Sequence, residues 1–221
     1  IRDRYEEIAH AFSSLRSKPW SIAKVVKDGV ILDLGSGPCI NGIYAAKQKD
    51  GYLICLDISF SMARISRRNI FKQSVLGDAI AADMLFLPFR SSSINSILSI
   101  ASIHHIPKEY GIEVMKELRR IAKPFSTILI TVWSWRQLRF ITQILKNIFL
   151  YFFGLIDSLR ECLVPWRRKD IVYWRYYYLY SLDELIGLSK AIGLKVLSKG
   201  YIGYLRNKSD NIYIITTAVS Y

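Results

Sequence analysis

Two short apolar runs, each closing on an aspartate, constrain this chain more than any other feature. Val30-Ile31-Leu32 enters Asp33-Leu34-Gly35-Ser36-Gly37, and Tyr52-Leu53-Ile54-Cys55-Leu56 ends in Asp57, 22 residues after Gly35. That is the outline of a nucleoside-binding βαβ unit. Glycines at 35 and 37 let a strand-to-helix turn approach a ligand closely, and an acid at this spacing accepts both ribose hydroxyls. A dinucleotide site would place a third glycine three residues after the second, to seat a pyrophosphate on the helix N-terminus. Here that position is Ile40, and the next glycine is Gly42. The expected ligand therefore has no pyrophosphate, and S-adenosylmethionine is the commonest of that kind. The competing reading is a structural turn, with Asp57 merely ending a strand.

Strand and helix patterns alternate along the rest of the chain. Apolar strands are expected at 79–82, 94–100, 127–132, 195–197 and 212–218, and an amphipathic helix at 109–122 carries Ile112, Met115, Leu118 and Ile121 on one face. Ser181-Leu182-Asp183-Glu184 fits a capping box for a helix that stops at Gly193. With the first two strands this makes an α/β fold: a doubly wound, mostly parallel, seven-stranded Rossmann-like sheet with helices on both faces. At 221 residues and 51% hydrophobic content the chain suits one domain over 1–221, with a helical cover at 1–28 and a basic-aromatic insertion at about 137–180.

The balance of 31 Lys and Arg against 18 Asp and Glu, net +13, predicts attraction to a polyanion or an anionic membrane surface. Cys39, Cys55 and Cys162 are odd in number and lack CxxC spacing, so neither a disulfide framework nor a zinc site is expected, and a reducing cytoplasm is the simplest setting. Segment 140–163 is the most apolar, yet Lys146, Asn147, Asp157, Arg160 and Glu161 interrupt the span of about 20 residues that crosses a bilayer. No transmembrane helix or signal peptide is expected.

In an open parallel sheet a ligand lies at the carboxyl ends of the strands. Gly35, Ser36, Gly37, Asp57, Ile58, Asp83, Met84, Ser99 and Ile100 should therefore converge on one crevice. Asp83 either faces the adenine amino group, with Met84 against the ring, or caps the loop before Pro88. Asp33 either reaches the methionine amino group through water or braces the loop amides. Of the paired His104 and His105, one is a candidate active-site group, taken as His104, while a loop hydrogen bond is the plainer fate.

Cations and aromatic rings interleave at Trp133-Ser134-Trp135-Arg136, Pro165-Trp166-Arg167-Arg168-Lys169 and Tyr173-Trp174-Arg175-Tyr176-Tyr177-Tyr178. Unpaired RNA bases want that combination, guanidinium groups for phosphate and flat faces for stacking. Core packing accounts for some of the rings. Segment 137–163 can alternatively serve as a membrane-surface element, with Phe140, Ile144, Ile148 and Phe152 sharing a face with Leu155 and Ile156.

Taken in order, these residues resemble the class I S-adenosylmethionine-dependent methyltransferases, and more narrowly the tRNA wobble-uridine methyltransferases that esterify 5-carboxymethyluridine. The resemblance rests on Tyr5-Glu6-Glu7-Ile8-Ala9-His10-Ala11-Phe12-Ser13-Ser14-Leu15-Arg16 with Lys18-Pro19-Trp20, on Ala82-Asp83 through Leu87-Pro88-Phe89-Arg90, and on Ser99 through His105. Val132-Trp133, Val164-Pro165-Trp166 and Arg175-Tyr176-Tyr177 complete it. Pro38-Cys39-Ile40-Asn41 stretches the glycine turn relative to that family. The resemblance implies S-adenosylmethionine as methyl donor, tRNA as substrate, and a small zinc-binding activator protein that forms a heterodimer by adding to the sheet edge near 79–82. A carboxymethyl acceptor, with an unperturbed pKa of about 4, is already ionised at neutral pH and needs no general base. The expected catalytic set is Arg16 and Arg175 as clamps on the carboxylate, Trp133 and Tyr176 as walls for the uracil, and His104 on the cofactor side. Two other classes stay open: a methyltransferase of a small or lipid-like molecule at a membrane surface, and a non-enzymatic cofactor-binding scaffold.

Overall fold

The structure, a computed structural model, describes residues 2–15, 18–168, 171–203 and 210–219. Its first half runs α1 (Arg2–Leu15), β1 (Gly29–Leu34), α2 (Ile40–Ala46), β2 (Gly51–Asp57), α3 (Phe60–Lys72), β3 (Gly77–Ala81), β4 (Ile94–Ile100), α4 (Gly111–Ile121) and β5 (Ala122–Trp133). Its second half runs α5 (Ile141–Phe152), β6 (Glu161–Arg168), β7 (Ile171–Tyr178), α6 (Leu182–Ala191), β8 (Leu194–Ile202) and β9 (Asn211–Ala218).

Successive side chains of a strand point to opposite faces, and β1 sorts the two cores accordingly. Leu32 and Leu34 join a core with α4 and α6, while Ile31 joins another with α2 and the 3-10 turn Ser21–Val25. Strands covered on both faces read as continuous apolar runs, which is why their ends were legible. Among the described residues the main sheet has seven strands in the order β3-β2-β1-β4-β5-β9-β8. β1 pairs in parallel with β2 and β4, β2 with β3, and β4 with β5, whereas β9 runs antiparallel between β5 and β8. This is the doubly wound, mostly parallel sheet expected. Strand order reverses between β1 and β4, opening a crevice at their carboxyl ends.

Several boundaries shift for local reasons. The helix expected over 109–122 begins instead with a 3-10 turn, Lys108–Tyr110, capped by extended Pro107. β5 starts before the expected 127, and β8 extends well past 197 to Ile202 because it keeps pairing with β9.

The basic-aromatic insertion is a helix followed by a hairpin, an arrangement the residue pattern did not reveal. Phe140 is buried and Ile144 half-buried against Trp133, Cys162, Tyr177 and Leu179. Ile148, Phe152 and Leu155, expected on the same face, are 48%, 83% and 68% exposed. Asn147 takes the inward position instead, donating to the carbonyls of Leu159 at 3.1 Å and Glu161 at 2.7 Å and so tying α5 to the start of β6. Among the described residues no helix is long and apolar enough to cross a membrane, a statement about helices only.

The cysteine expectation is corrected. Cys39 and Cys55 form a disulfide, with Cα atoms 6.0 Å apart, and Cys162 is a buried free thiol. Their separation of 16 residues carries no recognisable spacing. The left-handed conformation of Cys39 (φ +60°) before α2 turns its side chain onto β2.

Glu184 fastens the hairpin to the main body. Its amide donates to Ser181 Oγ at 3.2 Å, and its carboxylate accepts from the Ser181 amide at 3.4 Å, completing the capping box. That carboxylate also accepts from Tyr178 Oη at 2.5 Å and Arg160 Nη1 at 2.8 Å. Glu184→Ala should cost about 2 kcal/mol, since it strands a buried phenol and opens a helix cap together. Chemical denaturation checks this, and a loss below about 0.5 kcal/mol would show that the network carries little.

Candidate active site

The cleft is built first from backbone. Gly35 and Gly37 leave β1 with φ of +64° and +53°, conformations that a side chain disfavours. A Cβ on Gly35 would stand 1.7 Å from Ser102 Oγ, so the turn and the segment after β4 touch because that glycine has no side chain. At the end of β2, Asp57 accepts from the Gly37 amide at 2.9 Å and the Ser59 amide at 3.0 Å. Burial pushes the Asp57 carboxyl pKa upward, and those amide bonds pull it back. Asp83 and Met84 arrive from beyond β3, and Ile100, Ala101, Ser102 and His105 from the end of β4. Tyr5 and Phe12 of α1 and Lys18 and Trp20 after it form the outer wall, and Trp20 is held by its amide donating to Asn41 Oδ1 at 2.9 Å. The result is a cleft of about 950 Å³, open to solvent at its mouth.

Of the expected ligand residues, Gly35, Ser36, Gly37, Asp57, Ile58, Asp83, Met84 and Ile100 line this cleft. Asp83 lines the cleft, and its Oδ1 accepts from the Leu85 amide at 3.0 Å, the loop-capping role. Asp33 and Ser99 do not line it. Asp33 is buried behind the turn, where Oδ2 accepts from the Gly42 amide at 2.8 Å, which is the bracing role. Burial raises its pKa to about 7, the Gly42 bond lowers it, and nearby Asp57 raises it further. Ser99 is fully buried within β4.

Residues 31–125 match a family of proteins described as a methyltransferase domain. A tRNA (carboxymethyluridine(34)-5-O)-methyltransferase of Schizosaccharomyces pombe is 29% identical over 91% of this chain and 91% of its own length. The mouse tRNA (carboxymethyluridine(34)-5-O)-methyltransferase ALKBH8 is 37% identical over 62% of this chain, which spans only 20% of that protein. Among solved structures, a Haloferax volcanii methyltransferase in complex with the Trm112 methyltransferase activator shares the fold at TM-score 0.70 and 16% identity, covering 100% of this chain and 98% of that one.

The chain has the fold of a solved S-adenosylmethionine-dependent methyltransferase of Methanosarcina mazei, at TM-score 0.75 and 16% identity over 91% of this chain and 99% of that one.

S-adenosylmethionine, bound in this cleft, would supply an electrophilic methyl group on sulfur. The residues fit that group. Ser36 Oγ is buried without a hydrogen-bond partner among the described residues, a polar atom left for a ligand on the cleft wall. A Cβ on Gly37 would meet nothing nearer than Phe12, at 4.0 Å, so the space above the turn is open.

The acceptor side of the methyltransferase domain departs from expectation. His104 is turned away from the cleft: it is 1% exposed, its Nδ1 accepts from the Trp133 amide at 3.1 Å, and its ring stacks on Tyr177 at 5.2 Å. The cleft residue is His105, because the 3-10 turn Ile103–His105 rotates the two neighbours apart. His105 Nδ1 lies 3.1 Å from the Tyr176 carbonyl, which can only accept, so Nδ1 carries the proton and Nε2 accepts from Tyr5 Oη at 2.9 Å. Trp133 is not a free wall, since Tyr177 stacks on it at 4.1 Å and 10° and the Arg139 guanidinium lies 4.0 Å from its centroid. Tyr176 packs against the α4/α6 core, while Arg175, one residue away, lies on the other face of β7, 5.4 Å from the Tyr177 ring and 6.0 Å from Phe12. Arg16 lies outside the described residues. Sequence reasoning did not single out Tyr5 and His105, which line the cleft, or Tyr177, buried against His105; all three stood within the motifs of the family resemblance, but adjacency cannot say which neighbour faces inward.

Gly35→Ala should lower S-adenosylmethionine affinity at least about tenfold by calorimetry, because the added methyl collides with Ser102 and strains a positive φ. Affinity within twofold of wild type would show that the turn can relax. Asp33 generates a pH effect of determined sign. Its folded pKa lies above the ordinary value of 3.8, so the folded state holds the extra proton and stability falls as pH rises from about 4 to about 7. Asp33→Asn keeps an acceptor for Gly42 and should gain on wild type by up to about 1.4 kcal/mol per pH unit across that window in denaturation experiments. Parallel pH profiles of the two proteins would contradict this.

Proposed function

We propose that this chain transfers the methyl group of S-adenosylmethionine to the carboxylate of 5-carboxymethyluridine at the wobble position of tRNA, giving the methyl ester. The names of the curated relatives support this acceptor, and the net charge of +13 suits a polyanionic substrate. The observation that carries the reading is Arg175. Its guanidinium lies 6.0 Å from the ring of cleft-lining Phe12 and 5.4 Å from the Tyr177 ring, and its buried Nε has no hydrogen-bond partner among the described residues. A cation held there suits an anionic acceptor.

An acceptor carboxylate with an unperturbed pKa of about 4 arrives ionised, so the chain has only to strip its water and hold one oxygen towards the donor side. Such positioning can supply roughly 7–11 kcal/mol. Arg175 holds the other oxygen, with Arg16 as a second candidate. Both histidines being engaged in structural bonds suits a reaction that requires no base. On the donor side Asp57 receives the ribose hydroxyls, Asp83 and Met84 face the adenine, and Ser36 takes a polar group of the methionine end.

The activator reading has its own support. β3 is the outer strand of the sheet, so one edge of its backbone is unpaired by other strands of the main sheet, and the Haloferax relative in fold is solved with Trm112. A small zinc-binding activator adding to β3, near residues 79–82, would complete a heterodimer.

Transfer from labelled donor to bulk tRNA, with and without the activator and followed by nucleoside mass spectrometry, should yield the methyl ester of 5-carboxymethyluridine. Arg175→Ala should lose about ten- to a hundredfold in transfer while retaining cofactor affinity, the effect of removing one hydrogen bond to a charged group. Near-normal turnover in that variant, or label on a different nucleoside, would refute the clamp or the acceptor respectively.

A further inference from the structure

The β6–β7 register sorts the hairpin into two faces of different chemistry. Directly opposed residues share a face, so Trp166 stands with Tyr173, and Pro165 with Trp174. A period of two then puts Tyr173, Arg175 and Tyr177 on one side of β7, and Trp174 and Tyr176 on the other. The first side is the one turned to the cleft. Tyr177 meets the cleft residue His105 at 4.3 Å between centroids, and Arg175 lies over cleft-lining Phe12. From the cleft outward this face reads ring, cation, ring, with Trp166 against Tyr173 at 5.9 Å and 48°. Both of those outer rings are half-buried, tilted against each other and still accessible. The opposite face is aliphatic around an exposed Trp174, with Leu163 and Val172 also exposed and Arg167 only at its tip.

We propose that the cleft-side face of this hairpin is a stacking platform for an unpaired nucleotide next to the target base, with Trp166 and Tyr173 taking the base. The proposal rests on the tRNA reading above and names the surface that would receive the strand. Arg175 and Tyr173 are separated by two residues of strand, about 6.6 Å, a step that an extended single strand can follow from the clamp to the platform. Stacking on paired rings is tolerant of base identity, so the platform would position the strand without selecting sequence.

The test compares bulk tRNA binding by the full chain, measured by filter retention over a salt series, for wild type, Trp166→Ala, Trp166→Phe, Tyr173→Ala and Trp174→Ala. S-adenosylhomocysteine affinity by calorimetry reports on an intact fold. Trp166→Ala and Tyr173→Ala should each weaken tRNA binding about tenfold and leave S-adenosylhomocysteine affinity unchanged, Trp166→Phe should recover most of the loss, and Trp174→Ala should stay within twofold of wild type. If Trp166→Ala also loses S-adenosylhomocysteine, Tyr173→Ala decides. Equal losses at Trp166 and Trp174, or no loss at Trp166 and Tyr173, in a wild type that binds and methylates tRNA would overturn the platform alone. A wild type that does not bind tRNA would overturn the tRNA reading and the platform with it.

Discussion

The cleft depends on one carboxyl group. Asp57 ends β2 by accepting the amide of Gly37 with one oxygen and the amide of Ser59 with the other, so a single side chain ties the glycine turn to the start of α3. Ser59 then caps α3 through Oγ, which accepts from the Met62 amide at 3.1 Å, and donates its own hydroxyl proton to Glu6 of α1 at 2.7 Å. Glu6 also accepts from the amide and hydroxyl of Ser61, and its bonds to Ser61 and Ser59 hold its carboxyl below the ordinary pKa. An anion at a helix N-terminus is well placed against the orphan amides there. Three elements far apart in the chain are thus fastened in series, and α1 becomes a wall of the cleft because its acid is anchored at α3.

A second series fastens the lip. Tyr5 donates to His105, and His105 donates to the backbone of Tyr176, the residue after Arg175, whose positive charge acts on the Tyr5 phenol. The series runs across α1, the end of β4 and β7. Burial raises the Tyr5 pKa well above its ordinary value, which keeps the phenol protonated and able to donate to Nε2 at any pH near neutral. Flanked by the Phe12 and Tyr177 rings, the Arg175 guanidinium gives up rotamer freedom in the folded state, and a cation positioned in advance is what the proposed clamp requires.

The glycine-turn side of the cleft was legible in the sequence and the wall facing the hairpin only in part. Gly35, Gly37 and Asp57 act through backbone conformation and spacing along a single βαβ unit, and both are local properties. Ile94–Ile100 and the Ser181 capping box were readable for the same reason. The outer wall brings together Tyr5 and His105, with Tyr177 buried against His105, and their meeting is set by contacts such as the one between Tyr5 and His105, 100 residues apart. Choosing His104 over His105 required knowing the pitch of a three-residue 3-10 turn. Choosing Tyr176 over Tyr177 required knowing that 171–178 is a strand at all. That strand was hidden because its inward and outward positions both carry aromatic and basic residues, so polarity does not alternate where side-chain direction does. Arg175 was found by residue type and family resemblance, while its face was not.

The same division accounts for how the hairpin can carry specificity without disturbing the donor site. Its two ends are pinned by polar contacts to the body, through Asn147 at the start of β6 and Glu184 at the end of β7, while the side chains at 166, 172, 173 and 174 nearer its tip stay at least partly exposed. Side chains at 166, 172, 173 and 174 take no part in the bonds that hold Asp57, Glu6 or Tyr5 in place. Substitution there changes what the lip presents and leaves the geometry of the cofactor turn alone, since distant sites without shared partners contribute nearly independently. A rigid backbone-built donor pocket beside a side-chain-built acceptor lip lets one part of the molecule adapt while the other stays constant.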